Sequence, residues 1–533
     1  MAKLNRREFL KLGGQGTAVL GMGLTGSKWG KTGKAWAAAA PEGPMPQQPE
    51  NLFEANKLDF RPNWDEWEFY YPGKYDAEDT KVLNAWHAEL DRINKRGDIN
   101  IKDLISGKLE GQPGIGRTQN INAESMKRLA DSYGDRIPRW TDPDYAKKTK
   151  YGYCAMPWIA GGQIGVPAMP KDQGIGDYMV VSNYNVSPTY YKPIYEGDTI
   201  YTVTDKSDAI DITPTQGSFY RTFCLIGYGR CYNQKGELVA EGAGMRTESF
   251  RRHKDKAKRN PYGEHRWESP DWYTNRPVHQ YTDEDWEEIK NIWKNEEIRG
   301  SKTRYWDDVK IGDMPTPTAI GPFISEVVTE MTGNVSQWVV DAKYNIMDPK
   351  IFKTMKKNFQ GIYVPPEYLV KKLVSVGQDR GNTTSHGYLN LTAGDGRSVL
   401  MNMIGAYWAG SMILKWMGDD GWLQRFAWAM MEWPQAQLGI NYQEDPTRIP
   451  LTPLHLRAAN KFEKWPYLLK VPSMNNGICN WHGMEGDLCI SKAYVYDKYQ
   501  KGSEYFVDLI WWCETFDRHI IEEGFATVKL PKK

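Results

Sequence analysis

The sequence predicts an α+β chain made of two copies of one unit, each an antiparallel sheet wrapped around a central helix, with a helical extension in front. Three observations lead there. A single helical run, Ala123 to Tyr133, is followed by a succession of strand-like segments, which is what a sheet laid over one helix requires. The turn Glu196-Gly197-Asp198 before one strand returns as Glu485-Gly486-Asp487, and Glu241-Gly242 returns as Glu523-Gly524. The two glycines of each set lie 45 residues apart in the first copy (Gly197 to Gly242) and 38 in the second (Gly486 to Gly524), so one fold occurring twice is the economical reading.

In chain order, the first element is a targeting segment. Asn5-Arg6-Arg7-Glu8-Phe9-Leu10-Lys11 resembles a twin-arginine export motif, departing from it only at Asn5. A glycine-rich, weakly apolar run from Leu12 to Gly26 follows, and then Lys34 and the alanine stretch before Pro41. This is the order of a removable signal, and the run is too short and too glycine-rich to span a bilayer. Residues 1–40 are therefore expected to be cleaved after passage through the twin-arginine translocase, leaving a periplasmic protein with no membrane insertion. Residues 41–114 read as a packing arm with one amphipathic helix, Asp76 to Lys95, whose Trp86, Leu90 and Ile93 fall near helical spacing.

Residues 115–252 form the first copy. After the helix at Ala123 come strands at Asp177 to Val186, Thr199 to Ser207, Gly217 to Tyr232 and Glu237 to Phe250. Residues 253–300 form a charged, Trp-rich linker that ends in a helix from Asp283 to Glu297. Residues 301–533 form the second copy, with a larger helical section and an alternating strand from Glu504 to Thr515.

Composition excludes several classes. The 533 residues suffice for about two to four domains. Lys and Arg number 68 against 67 Asp and Glu, so no net charge draws the chain to nucleic acid or an anionic membrane. The 22 Trp and 31 Tyr fit either large cores or an aromatic-lined pocket for an apolar or cyclic ligand. Six cysteines show neither a Cys-x-x-Cys pair nor zinc spacing, and Cys224 and Cys231, seven apart on one strand, face opposite ways. No cofactor or metal site is expected, and no phosphate loop, dinucleotide fingerprint or nucleophile elbow is present.

The stretch from Gly134 to Gly152 narrows the reading. Gly134-Asp135-x-x-Pro138, then Asp142-Pro143-x-Tyr145-Ala146, then Tyr151-Gly152 resembles the opening of MaoC-like hot-dog dehydratases, in particular the fatty-acid-synthase-type branch. The second copy supports this, since Tyr305 to Asp313 followed by Gly321-Pro322 is similar to the start of a MaoC-like domain, and Tyr407 to Trp422 to its central helix. The resemblance implies a double hot-dog fold that pairs as a homodimer. It also implies hydratase chemistry, in which the Asp and His of Gly-Asp-x-Asn-Pro-x-His hold a water for addition to a double bond conjugated to a thioester. Here Ile137 stands at the Asn position and Trp140 at the His position, so the first copy lacks the pair.

Water addition or removal beside a carbonyl needs a base, an acid and donors for the developing enolate oxygen. In the second copy Asp379, Asn382 and His386 follow the family's Asp, Asn, His order with stretched spacing. His386 is the expected acid–base group, oriented by Asp379 or Asp135, with Trp140, Tyr407 and Trp408 lining a pocket. Asp135 has an equal claim to a turn-fixing role, and Trp408 to core packing. Two functions remain open. One is an exported lyase acting on a hydrophobic, carbonyl-activated or cyclic small molecule. The other is a non-catalytic ligand-binding or accessory subunit exported with a cofactor-bearing oxidoreductase.

Overall fold

A single ten-stranded antiparallel sheet organises the chain, with strands in the order β1-β3-β4-β5-β2-β9-β12-β11-β10-β6. The structure is a computed structural model that describes residues 77–116, 118–160, 179–211, 220–251, 279–322, 337–364, 366, 402–430, 486–517 and 520–533.

The elements of the first half are α1 (Ala77–Lys95), α2 (Ile101–Ile105), β1 (Gln119–Asn120), α3 (Ala123–Tyr133), α4 (Pro138–Thr141), α5 (Pro143–Ala146), β2 (Met179–Tyr190), β3 (Thr199–Asp211), β4 (Tyr220–Tyr232) and β5 (Leu238–Arg251). Those of the second are α6 (Asp283–Asn295), β6 (Thr318–Ile320), α7 (Gln337–Met347), α8 (Pro349–Phe352), the hairpin β7 (Lys356–Lys357) and β8 (Tyr363–Val364), α9 (Asn402–Met417), β9 (Trp422–Met430), β10 (Cys489–Lys501), β11 (Glu504–Glu514) and β12 (Ile520–Leu530).

Read outward from the middle of the sheet, both halves have one order. Going left, β2, β5, β4, β3 and β1 follow one another; going right, β9, β12, β11, β10 and β6 do. Each half therefore threads a short edge strand, helices and then four long strands through the same positions, which is the hot-dog connectivity executed twice. The repeated turns fall at equivalent places. Gly197, at φ 87°, precedes β3, and Gly486, at φ 92°, precedes β10, its counterpart. A further echo is visible only with the fold in hand: Asp142 caps α5 and Asp348 caps α8, each just before a proline.

One expectation needs correction. The sequence pointed to two sheets, but β2 and β9 pair across the middle, with Asn185 opposite Ala429 and Thr189 opposite Arg425, so the sheets are one. Two edges thereby disappear. The core lies on the face that carries α9. There Phe426 and Trp511 stack at 5.1 Å, and Trp158 meets Phe426 edge-on at 6.0 Å. A Cβ on Gly410 of α9 would sit 2.3 Å from Trp158 Cζ2, so a glycine is what lets this helix approach the ring.

The arm closes the opposite edge. Asn94, near the end of α1, donates from Nδ2 to Ser207 O at 2.9 Å and accepts from Ser207 N at 3.0 Å. Beyond it, Gly116 N donates to Thr202 O and Thr204 N to Gly114 O. The exposed ladder of β3 is thus occupied by the chain itself. Leu104 of α2 then packs on Val203 and Tyr232. Among the described residues no helix is long and apolar enough to cross a membrane.

Candidate functional site

The Gly-Asp break after α3 is where the first candidate residue sits. Asn122 and Ser125 form a reciprocal capping box that starts α3, and Gly134 ends it, with its N–H donating to Ala130 O at 2.7 Å. Asp135 and Arg136 then both adopt left-handed backbone, at φ 42° and 55°, before Pro138 opens α4. Non-glycine residues rarely do this, at a cost of about 1–3 kcal/mol each, and the surrounding structure must hold them there. The holding groups come from three other helical segments.

Lys343 Nζ of α7 donates to Asp135 Oδ2 at 2.6 Å and to Glu296 Oε2, at the end of α6, at 2.7 Å. Lys415 Nζ of α9 donates to the same two oxygens, at 2.8 Å for Glu296. Tyr344 O–H donates toward Asp135 Oδ1 at 2.9 Å and the Asp135 carbonyl at 3.1 Å. Glu296 Oε1 accepts from Ala319 N of β6 at 3.2 Å. Two carboxylates and two ammonium groups thus neutralise one another in a site where Asp135 and Lys415 are each 1% exposed.

Burial alone would raise the Asp135 carboxyl, but the ammonium groups of Lys415 and Lys343 outweigh it and hold the pKa below the usual carboxylate range. For Lys343 burial dominates, the Lys415 charge adds to it, and the amine is pushed down. Lys415 is raised, because Asp135 and Glu296 overcome its burial. With both oxygens already accepting and ionisation favoured, Asp135 is a poor base. It fastens the first repeat's helix end to α7 and α9 of the second.

The other predicted residues fare differently. Trp140 is 2% exposed, with the Arg139 guanidinium 4.4 Å from its ring centroid, and Arg139 Nη1 donates to Gly421 O at 2.9 Å. Trp408 is fully buried, 6.4 Å from the Tyr133 ring. Both pack within the hydrophobic core. Tyr407 lies on α9 with its side chain outside the described set, and His386 and Asp379 lie outside the described residues altogether. Lys343, Lys415 and Glu296 were not anticipated, although Lys415 carried a signal as the one charge in the apolar run Ile404 to Met417. A lysine there is almost never buried without partners.

A second polar array, buried except at Arg230, crosses the opposite face of the sheet. Consecutive cross-strand partners are Arg230, Glu241, Thr189, Arg425, Thr527 and Asp508. By alternation along β11, Asp508 points away from the face of Trp511. Glu241 accepts from the phenols of Tyr191 and Tyr228, and Asp508 Oδ1 accepts from Thr527 Oγ1 at 2.7 Å. Burial pushes the Asp508 carboxyl up to about 7, against the opposing effects of Thr527 and Arg425.

The folded chain keeps the Asp508 proton through a range where the unfolded chain has released it. Its contribution to stability is present below the ordinary carboxylate pKa and is lost as pH rises toward about 7. Asp508→Asn should therefore gain on wild type by a few kcal/mol (order of magnitude) between acid and neutral pH. Urea unfolding midpoints of both proteins at several pH values read this directly, and a difference independent of pH would contradict it.

Among the described residues no group of three or more His, Cys, Asp or Glu could hold a metal ion. Cys154, Cys231, Cys489 and Cys513 are buried free thiols.

Fold and site together define a double hot-dog α+β chain whose repeats are joined by one sheet seam and one buried charge cluster. No family model matches the sequence and no curated protein matches it. Among solved structures, the chain is similar to a MaoC domain protein dehydratase from Chloroflexus aurantiacus, at 10% identity over 79% of this chain and 94% of that one, with a TM-score of 0.36. It is similar also to a Mycobacterium tuberculosis protein described as having a double hot-dog fold, at 9% identity over 78% and 93%, TM-score 0.36. An R-hydratase from Pseudomonas aeruginosa matches over 26% of this chain and 78% of its own, at 19% identity and TM-score 0.18. The strand order given above is what carries the fold assignment.

Proposed function

We propose that the chain is a hydratase/dehydratase-class lyase in which the first repeat has become scaffold and the second carries the acid–base chemistry. The observation behind this division is the crowding of Asp135, whose Oδ1 accepts from Tyr344 and whose Oδ2 accepts from Lys343 and Lys415. A carboxylate so crowded by donors and held ionised is a weak base toward a water. His386, which precedes α9 in the chain, is the residue we assign to proton transfer, with Asp379 orienting it. The substrate is a hydrophobic, carbonyl-activated or cyclic small molecule, handled outside the cytoplasm after twin-arginine export of residues 41–533.

The test is incubation of the purified protein with α,β-unsaturated carbonyl compounds in oxygen-18 water. A labelled hydroxyl product is expected, and His386→Ala should lower its rate roughly 100-fold or more. Unchanged labelling in that variant would remove His386 from the mechanism. The accessory-subunit reading has its own support, since Trp140 is buried core at the family's His position. It expects no labelled product from any compound and a stoichiometric cofactor-bearing oxidoreductase purified with the chain.

A further inference from the structure

We propose that Lys343 and Asp135 are joined by an intramolecular isopeptide bond, with Glu296 carrying the proton and Tyr344 holding the oxyanion. This does not depend on which repeat performs catalysis. Three conditions for uncatalysed condensation of an amine with a carboxyl meet here. The reacting groups are in contact, with Lys343 Nζ 2.6 Å from Asp135 Oδ2. A second carboxylate touches the same amine, Glu296 Oε2 at 2.7 Å. The reacting pair is excluded from water, Lys343 being 5% exposed and Asp135 1%. Groups fixed in this way react as if at effective concentrations of about 10⁵ M or more.

The roles of the two lysines differ. Burial and the neighbouring Lys415 charge push Lys343 toward its neutral form, whereas Lys415 is held protonated. Transient passage of one Lys343 proton along its hydrogen bond to Asp135 Oδ2 gives a neutral amine and a carboxylic acid. The Nζ lone pair then forms the bond to Cγ, and the carbonyl electron pair moves onto Oδ1, toward which the Tyr344 hydroxyl donates. Glu296 accepts the next proton from Nζ and returns it to the protonated Oδ2, with which it shares both lysine donors, and Oδ2 leaves as water beside the Lys415 ammonium. Amine plus acid gives amide plus water, and no oxidant is required.

Condensation also relieves the electrostatics. Four buried charges become two, the Lys415–Glu296 pair at 2.8 Å, so the desolvation cost of one cation and one anion is removed.

The experiment is peptide mapping of the full chain by mass spectrometry after denaturation and trypsin digestion. The expected product is a branched peptide joining the Asp135 and Lys343 segments, lighter than their sum by one water, about 18 Da, with cleavage blocked after Lys343. Lys343→Arg and Glu296→Gln should both lose the branch while retaining wild-type far-ultraviolet circular dichroism. Separate, unmodified Asp135 and Lys343 peptides from the wild type would overturn the proposal. A branch through Lys415 would overturn the assignment of the nucleophile.

Discussion

Asp135→Ala is expected to destabilise the chain by about 3–5 kcal/mol, because it leaves the ammonium groups of Lys343 and Lys415 sharing Glu296 alone in a dry site. The loss also frees the left-handed turn at Asp135 and Arg136 that the cluster holds in place. Adding Lys415→Met to this variant should restore part of the loss, since one of the orphaned charges goes with it. Denaturant unfolding of the two single variants and the double variant gives the coupling, which should be well above the few tenths of a kcal/mol seen for independent sites. Strict additivity would mean that the four groups do not act as a unit.

Gly524→Ala is expected to cost a further large amount, about 3 kcal/mol or more, though for a steric reason. The residue lies in β12 opposite Trp511 on one side and Trp428 on the other. A Cβ there would be 2.0 Å from Ala427 O, 2.7 Å from Trp511 Cζ2 and 2.9 Å from Trp428 Cα. Two of these three atoms are backbone of β9, and β9 cannot retreat without disturbing its pairing with β2 at the seam between repeats. Gly502→Ala is the control. That glycine is at φ 58° in the β10–β11 turn with nothing within 4 Å of a built Cβ, so only the left-handed penalty of about 1–2 kcal/mol applies. Thermal unfolding of the two variants should rank them in this order, and equal losses would refute the steric account.

The second glycine belongs to a motif that could be read without a structure. Glu523-Gly524 echoes Glu241-Gly242, and β12 and β5 do occupy equivalent positions. Helix α1 was equally legible, since the spacing of Trp86, Leu90 and Ile93 predicts Asp76 to Lys95 and the helix spans Ala77–Lys95. The strand from Glu504 is one residue shorter than expected, ending at Glu514. Local periodicity suffices for such elements because each buries one face or stripe.

What local pattern could not supply is pairing between distant segments. The β2–β9 seam joins residues such as Thr189 and Arg425, and nothing near either one names the other. The charge cluster was hidden for the same reason, with Asp135 and Lys415 separated by 280 positions. The motif around Asp135 pointed to the right place in the fold, but its chemistry is set by Lys343, Tyr344, Lys415 and Glu296, none of which the motif contains.

The division of labour between the repeats is the central claim, and a side-by-side comparison of Asp135→Asn and His386→Ala tests it most directly. Both would be assayed for oxygen-18 incorporation at a temperature where far-ultraviolet circular dichroism shows each variant folded. The account predicts that the folded Asp135→Asn protein keeps its rate within about threefold, whereas His386→Ala loses roughly 100-fold or more. Loss of turnover in Asp135→Asn with retention in His386→Ala would place the chemistry in the first repeat and contradict it.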